Sequence, residues 1–285
     1  MLKDYPVFNI GDGMWEINEY DGVSMFLICG SQRALLIDTG AGIGDLRAFV
    51  ESKVSTPYDV LLTHNHRDHT GNSPQFDKVY MSRVDTGMGA LVRPWTSKES
   101  RLSYVNNTRK NHPETDYPWT DADLTEFTAD NEPEIIPIED GHVFDLGDRR
   151  ICCFLAPGHT PGSLMAIDSK TGTLFSADCV NGTVGIGVRP IDGMKHASVT
   201  EALAALKRVW AMDFDRSRVF NAHTDSRCPG EPLGQSIYPS VMRAMDMICE
   251  GSAEVKSQYI PVINTTVEST VIDGVRIQFH CDNIK

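Results

Sequence analysis

The segment "HNHRDH" at residues 64–69 restricts the fold and the chemistry of this chain most strongly, because it places three histidines and an aspartate within six residues. It follows the apolar run "VLL", which is typical of a buried strand. Histidines packed at a strand end lose hydration and repel one another when protonated, whereas a metal ion binds neutral imidazole and offsets carboxylate charge. The segment therefore predicts a metal site at the end of a strand.

The composition favours a globular protein that acts on small molecules. The chain has 285 residues, of which 41% are hydrophobic, and this length is sufficient to bury a core. Its formal net charge of −13 repels phosphate backbones. We therefore expect a small-molecule substrate and no nucleic-acid partner, and the sequence leaves a homodimer open.

The cysteines and the apolar runs indicate the compartment. Seven cysteines are scattered along the chain without a CxxC pair, which favours reduced thiols and a cytoplasmic protein. The first residues lack the apolar core of a signal peptide, and no apolar run reaches the length of a membrane span. We expect neither export nor a membrane contact.

Alternating strand and helix signals predict an α/β protein with two similar halves. Short β-prone runs precede a helix over 43–54, and strand signals return from residue 134. A second helix is predicted over 198–212, where Ser198 and Glu201 have the spacing of a capping box. A third helix near 238–250 and a terminal hairpin close the chain. These elements predict one layered domain.

A polar insertion, predicted to be mixed helix and loop, interrupts this pattern over residues 83–133. It carries Trp95, Tyr104, Tyr117 and Trp119 and is long enough to cover a site. We predict that Tyr104 and Trp119 contribute to a substrate pocket. His196, which follows a glycine-rich stretch, is a third candidate for this pocket.

The stretch "IDTGAGIGD" at 37–45 is similar to a dinucleotide-binding loop but lacks its third glycine. Asp45 occupies that position, and an aspartate at the start of a helix repels a pyrophosphate. We predict that these glycines only form a tight turn.

Four side chains cannot complete two catalytic metal sites, because each site needs about three protein ligands and one open position. His64 and His66 are two residues apart and project to one side of an extended chain, so they can share one ion. Further candidates follow predicted strands: His159 in "APGHTPGS", Asp178 in "SAD" and His223 in "NAH".

In this order, the motifs "ALLIDTG", HxHxDH, "GHTPGS", "SAD" and "NAH" resemble the metallo-β-lactamase fold family over nearly the whole chain. The resemblance implies one domain over residues 1–285, a four-layer αββα sandwich with two mixed β-sheets. It implies that one metal binds His64, His66 and His159, and that a second binds Asp68, His69 and His223. It also implies that Asp178 bridges the two metals and that Asp38 orients a ligating histidine.

Two positions depart from the family pattern. Ala177 precedes Asp178 and Ala222 precedes His223, whereas family members usually have glycine at both positions. Alanine is small enough to keep the ligand geometry unless a positive backbone angle φ is required.

A binuclear centre predicts hydrolysis. Two divalent cations would share a bridging hydroxide, and zinc suits this nitrogen and oxygen ligand set, although iron and manganese also occupy such sites. Asp68 is the candidate catalytic residue, because its carboxylate can accept a hydrogen bond from the hydroxide. No residue is recognisable as a general acid, which favours thioesters, activated esters or lactones, because a thiolate leaves without protonation more readily than an amine.

Other functions remain open on the same scaffold. Glyoxalase II is similar in its metal motifs, but its C-terminal extension is not recognisable here. A β-lactam hydrolase and a phosphodiester hydrolase are alternatives within hydrolytic chemistry. A di-iron redox protein and a sensor without hydrolytic activity are alternatives outside it.

Overall fold

The computed structural model describes residues 4–19, 22–86, 102–103, 106, 110, 123, 132–188, 196–260 and 265–285. Most of the predicted insertion, including Trp95, Tyr104, Tyr117 and Trp119, lies outside these residues.

The chain divides into two compact units. Unit 1 comprises Met1–Ile138, Phe144–Arg150 and Pro229–Glu231, and unit 2 comprises Glu139–Val143, Ile151–Cys228 and Pro232–Lys285. The expectation of a single domain stays a prediction.

Unit 1 is built on a seven-stranded mixed sheet whose strands follow one another in chain order. These strands are β1 (Val7–Gly11), β2 (Met14–Asn18), β3 (Ser24–Cys29), β4 (Ala34–Ile37), β5 (Tyr58–Leu62), β6 (Lys78–Ser82) and β7 (Glu134–Ile138). The first four strands pair antiparallel, and β4 through β7 pair parallel. The residues that follow β4, β5 and β6 therefore lie at one edge of the sheet.

Three helices accompany this sheet: α1 (Leu46–Lys53), α2 (Arg67–Thr70) and α3 (Arg83–Thr86). Helix α1 begins after Asp45, whose side chain accepts a hydrogen bond from the N–H of Ala48 at 3.1 Å. Its residues Leu46, Phe49 and Val50 are buried in the core of unit 1. The predicted helix over 43–54 is confirmed, with shorter bounds. A 3₁₀ turn follows α2 at Ser73–Gln75.

The remaining strands are β8 (Val143–Asp145), β9 (Arg150–Leu155), β10 (Leu164–Asp168), β11 (Leu174–Ala177), β12 (Thr183–Gly185), β13 (Val219–Asn221), β14 (Lys256–Ile260), β15 (Thr265–Ile272) and β16 (Val275–Phe279). In unit 2 one mixed sheet has the order β13-β11-β10-β9, with β11 and β13 parallel. Another has the order β12-β16-β15-β14, with β12 and β16 parallel. The α/β class with mixed sheets is confirmed. By backbone pairing, the described strands fall into three hydrogen-bonded groups, one of which joins β12 to β14–β16.

Helices α4 (Val199–Trp210) and α5 (Ile237–Glu250) pack into the core of unit 2. The predicted capping box at the start of α4 is present. The Ser198 hydroxyl accepts from the N–H of Glu201 at 3.1 Å, and the Glu201 carboxylate accepts from the N–H of Ser198 at 2.7 Å. A 3₁₀ turn at Cys281–Asn283 ends the chain.

The terminal hairpin is formed by β15 and β16, as predicted. Asp273 and Gly274 form its turn with φ of 50° and 82°. Positive φ at both positions is the geometry of a type I′ turn, and Asp-Gly is a preferred sequence for it.

All seven cysteines are among the described residues and are free thiols. Burial strongly raises the pKa of the Cys153 thiol and keeps that group protonated. Among the described helices, none has both the length and the apolar character needed to cross a membrane.

Candidate metal centre

The carboxyl edge of the parallel strands in unit 1 brings Asp38 and Thr63 together. Asp38 follows β4, Thr63 follows β5, and both side chains are buried. The N–H of Thr63 donates to Asp38 Oδ1 at 2.7 Å, and the Thr63 hydroxyl donates to Asp38 Oδ2 at 2.8 Å. The carboxylate of Asp38 is thereby fixed in orientation.

Asp38 and Thr63 determine the tautomers of two histidines. Asp38 Oδ2 lies 3.0 Å from Nδ1 of His69, and a carboxylate can only accept, so Nδ1 of His69 carries the proton. The single proton of the Thr63 hydroxyl goes to Asp38, so this oxygen accepts from Nδ1 of His64, which is 3.0 Å away. Both rings consequently present the Nε2 lone pair, as a metal ligand must.

The three histidines of "HNHRDH" pack closely within unit 1. The ring centroids of His64 and His66 are 4.8 Å apart, and those of His64 and His69 are 4.1 Å apart. Asp68 Oδ2 lies 3.7 Å from Nε2 of His69. The segment therefore gathers four ligand-type side chains at one point, as the sequence predicts.

Asp85 anchors this segment through its backbone, and sequence reasoning missed it. Its carboxylate is fully buried and accepts a hydrogen bond from the N–H of Asn65 at 3.0 Å. Asp85 lies in α3, directly after β6, the parallel neighbour of β5. An acidic residue just beyond a strand was the available signal, but its buried contact with a distant backbone N–H could not be read from the sequence.

Unit 2 brings the other three candidate ligands together. Asp178 Oδ2 lies 3.2 Å from Nε2 of His159 and 3.1 Å from Nε2 of His223. The three side chains are 19%, 11% and 24% exposed for His159, Asp178 and His223, so solvent can reach them. One carboxylate oxygen between two imidazole nitrogens is an arrangement suited to a bridging ligand.

The parallel pairing of β11 and β13 explains why Asp178 and His223 meet, since each follows one of these strands. The N–H of Ala222 donates to the carbonyl of Ala177 at 3.2 Å and extends this pairing. Ala177 has φ of +47°, in the left-handed region. The departure from glycine at 177 therefore falls where φ is positive, whereas Ala222 has no positive φ.

His159 is held by a backbone carbonyl. Its Nδ1 lies 3.2 Å from the oxygen of Gly185, and a carbonyl can only accept, so Nδ1 carries the proton. Nε2 of His159 faces Asp178 Oδ2 at 3.2 Å.

A buried amide network supports the loop that carries His223. Asn221 donates from Nδ2 to Asn181 Oδ1 at 3.0 Å, and Arg227 donates from Nε to Asn221 Oδ1 at 2.6 Å. The Ser226 hydroxyl also donates to Asn181 Oδ1, at 2.7 Å. Sequence analysis missed this network, because its members are common polar residue types that meet only after folding.

The three pocket candidates are not brought together by the described residues. Tyr104 and Trp119 lie outside the described part of the chain. His196 is half-buried, and its pKa is lowered by burial and, to a smaller extent, by the charge of His280. A neutral His196 fits a pocket role, which stays a prediction.

The ligand set fits divalent cations of the zinc type. His64, His69 and His159 each have Nδ1 engaged as a donor, so Nε2 is the ring atom of each that could bind a metal. Imidazole nitrogen with carboxylate oxygen is a ligand set that zinc accepts readily and that iron and manganese also accept.

Comparison with known proteins identifies relatives of this chain. The family model described as "Metallo-beta-lactamase superfamily" matches residues 19–223. The "Acyl-coenzyme A thioesterase MBLAC2" of Bos taurus is 27% identical over 227 residues, which cover 73% of this chain and 76% of that protein. The "Probable polyketide biosynthesis zinc-dependent hydrolase PksB" of Bacillus subtilis (strain 168) is 24% identical and covers 71% of this chain and 72% of that protein.

A solved structure supports the fold. The metallo-beta-lactamase family protein TTHA1429 from Thermus thermophilus superposes with a TM-score of 0.54. The match covers 85% of this chain and 82% of that chain at 17% sequence identity.

Proposed function

Because this chain belongs to the metallo-beta-lactamase superfamily and is a metal-dependent hydrolase, we propose that it uses a binuclear centre to hydrolyse small acyl thioesters. The observation that carries the metal dependence is the pair of tautomers fixed by Asp38 and Thr63, which place the lone pairs of His64 and His69 on Nε2. The choice of a thioester is supported by the name of the Bos taurus relative.

In this proposal His64, His66 and His159 would hold one ion, Asp68, His69 and His223 would hold a second, and Asp178 would be a ligand shared by both. Support within unit 1 comes from the close packing of the His64, His66 and His69 rings, with Asp68 beside His69. Support within unit 2 comes from Asp178 Oδ2, which lies 3.2 Å from Nε2 of His159 and 3.1 Å from Nε2 of His223.

When bound, divalent cations supply Lewis acidity, which polarises the scissile carbonyl and lets water act as a nucleophile near neutral pH. Asp68 is partly exposed and lies beside His69, so its carboxylate can take up the proton that the attacking water releases. Asp38 keeps the His69 ring in one orientation throughout, because its carboxylate is itself fixed by Thr63.

A thioester suits this chemistry because its leaving group needs little help. A thiol has a pKa near 8.5, so the thiolate departs without a general acid. The acidic chain supports a small-molecule substrate rather than a nucleic acid.

The test is a substrate panel on the purified, zinc-loaded protein. An acyl-CoA thioester, a lactone, a cephalosporin and an aryl phosphodiester are compared by kcat/KM, with thiol release measured for the thioester. We expect the thioester to be hydrolysed and Asp68→Asn to lower its kcat/KM by about 100-fold or more, within the range of general acid–base catalysis.

Asp77→Asn is the matched control, because the Asp77 side chain is 86% exposed and pairs with Arg47 in the same unit. It should keep the wild-type rate. Cephalosporin or phosphodiester turnover without thioester turnover would overturn the substrate assignment. Full thioester turnover by a metal-free protein would overturn the metal dependence.

A further inference from the structure

We propose that Glu19 is a positioning residue for the metal centre, because its buried carboxylate fills an anion-binding loop that supports His69. This inference rests on the proposed metal site, but all the contacts from which it is argued lie within unit 1. Glu19 directly follows β2 and is fully buried. The loop is residues 39–44, the same stretch that is similar in sequence to a dinucleotide-binding loop.

Backbone N–H groups of this loop converge on the Glu19 carboxylate. Ala41 donates to Oε2, and Gly42 and Ile43 donate to Oε1 at 3.1 and 2.7 Å. Asn72 adds a side-chain donor, with Nδ2 at 3.2 Å from Oε1. Consecutive N–H groups that point at one place form an anion site of the kind that binds phosphate in other proteins.

The shape of the loop requires this arrangement. Gly40 has φ of +65°, and a Cβ at this position would collide with the Glu19 carboxylate. The loop can therefore close around the carboxylate only with glycine here. The prediction that these glycines form only a tight turn is consistent with this, since the turn is occupied by the chain's own side chain.

The loop in turn holds the helix that carries His69. Thr39 donates from its N–H and from its hydroxyl to the carbonyl of His69, at 2.8 and 2.9 Å. The N–H of Gly71 donates to the carbonyl of Gly40 at 2.7 Å. Asp38, the residue before Thr39, accepts from the His69 ring.

These contacts connect Glu19 to His69, a proposed metal ligand. Without a charge to bind, the N–H groups of residues 41–43 would be buried without their acceptor, which is unfavourable. The loop would rearrange, and Asp38 and Thr39 would no longer fix both ends of His69. The consequence is weaker metal binding, although Glu19 does not belong to the proposed ligand set.

Chemical rescue tests this role in the full-length chain. Glu19→Ala leaves space where a carboxylate was, and formate is small enough to occupy it. We expect Glu19→Ala to raise the Kd for Co²⁺ by about ten-fold or more, the usual effect of losing a group that orients a ligand. Sodium formate should reverse most of this loss, and should raise the melting temperature of the apo variant, relative to sodium chloride at equal ionic strength.

Two further variants isolate the cause. Glu19→Gln keeps the shape but loses the charge, so it should also weaken Co²⁺ binding, and formate should not rescue it because the amide fills the loop. Glu16→Ala removes another fully buried carboxylate, one that accepts from the N–H of Gly230 at 2.8 Å outside this loop. Glu16→Ala should show no formate-dependent change in Co²⁺ affinity.

The outcomes separate this inference from the proposed function. Wild-type Co²⁺ affinity in Glu19→Ala, or a loss that formate and chloride affect equally, would overturn the positioning role. A chain that binds Co²⁺ and shows formate rescue, but cleaves no thioester, would keep this inference and remove the substrate assignment. A wild-type chain that binds no Co²⁺ would overturn both the positioning role and the metal centre.

Discussion

The hydroxyl of Thr63 has a single proton and two neighbours that compete for it, Asp38 and His64. A carboxylate cannot donate, so the proton goes to Asp38 and the hydroxyl oxygen accepts from His64. One buried side chain thus links the orientation of two candidate ligands, His64 directly and His69 through Asp38.

Thr63→Val should break this link without changing the volume of the side chain. Asp38 and His64 would each lose a buried hydrogen-bond partner, which costs about 1–3 kcal/mol of unfolding free energy. Metal affinity should fall by about 10–100-fold, because the His64 tautomer is no longer fixed. Urea unfolding and Zn²⁺ titration of the same preparation measure the two effects, and an unchanged Zn²⁺ Kd would contradict the inferred tautomer.

Ala177 and Ala222 are both buried and both stand where glycine is usual, but only Ala177 has positive φ. A residue with a Cβ atom in that backbone region lowers the free energy of unfolding by about 1–2 kcal/mol, whereas glycine carries no such penalty. Ala222→Gly should therefore destabilise the protein more than Ala177→Gly, by at least about 1 kcal/mol. Paired chemical denaturation of the two variants checks this, and equal losses would show that the Ala177 backbone is unstrained.

At the residue scale, the candidate ligands could be selected from the sequence because each lies in "HNHRDH" or shortly after a strand signal. Their binding of metal stays a prediction. The residues that support them could not be selected in this way. Thr63 and Asp85 are common residue types whose roles depend on hydrogen bonds to residues 20 or more positions away. Neither periodicity nor motif order reports contacts of that kind.

At the scale of elements, long amphipathic helices and the Asp-Gly hairpin were predictable because their signals are local. Helix α4 has its cap, its apolar stripe and its end within about a dozen residues. The four-residue helix α2 was not predicted, since a single turn carries no periodicity, and α3 was predicted only as part of an insertion of mixed helix and loop. Strand β14 was also missed, because most of "KSQYI" is polar and four of its five residues, Lys256 to Tyr259, are exposed.

Strand β15 contains a buried hydroxyl that the described residues leave without a hydrogen-bond partner. Thr270 is 3% exposed, and it pairs in register with the buried Ile277. Thr270→Val keeps the β-branched shape and removes the desolvated hydroxyl, so unfolding free energy should rise by about 1 kcal/mol. Equilibrium unfolding in urea measures the change, and Zn²⁺ affinity should stay at the wild-type value. A clear destabilisation would mean that the hydroxyl is bound to an ordered water.

Helix α4 is tied to the segment before β8 by the bidentate pair of Arg208 and Asp140, at 2.6 and 3.0 Å. The Arg208 guanidinium lowers the pKa of Asp140, with a smaller lowering from the N–H of Leu155. A lowered carboxyl pKa stabilises the fold above the ordinary value of about 4, and this contribution disappears as pH falls through the folded pKa.

Asp140→Asn should therefore be less stable than the wild type at pH 7, and the gap should close as the pH falls below about 4. Urea midpoints at pH 7, 5, 4 and 3 measure this convergence. The pair is partly exposed, so added salt should also narrow the gap at pH 7. A gap that stays constant down to pH 3 would show that the ion pair does not stabilise the fold.

At the scale of the whole molecule, motif order predicted the family while composition predicted the class of substrate only in broad terms. The insertion with Tyr104 and Trp119 has no periodicity that positions its side chains. If these side chains line the substrate pocket, as predicted, the selectivity of the proposed thioesterase depends on positions that the sequence does not reveal.

Metal removal tests the molecule as a whole. Dipicolinate treatment should abolish thioester hydrolysis and lower the melting temperature, and stoichiometric Zn²⁺ should restore both. With free Zn²⁺ at 1,000 times Kd, the free energy of unfolding of the Zn²⁺-bound protein should exceed that of the apo protein by about 4 kcal/mol. Differential scanning fluorimetry with metal analysis follows this, and an identical melting temperature with and without Zn²⁺ would argue against a bound ion.

The loop closed by Glu19 has a consequence for selectivity inside a crowded cell. A glycine-rich turn before a helix can bind phosphate from solution. In this loop the Glu19 carboxylate already occupies the N–H groups, and because it belongs to the same chain its effective concentration exceeds that of any free nucleotide. ATP and inorganic phosphate at millimolar concentrations should therefore not bind to this loop. Its similarity to a dinucleotide-binding loop reflects the same backbone geometry, which here binds a side chain of the protein itself.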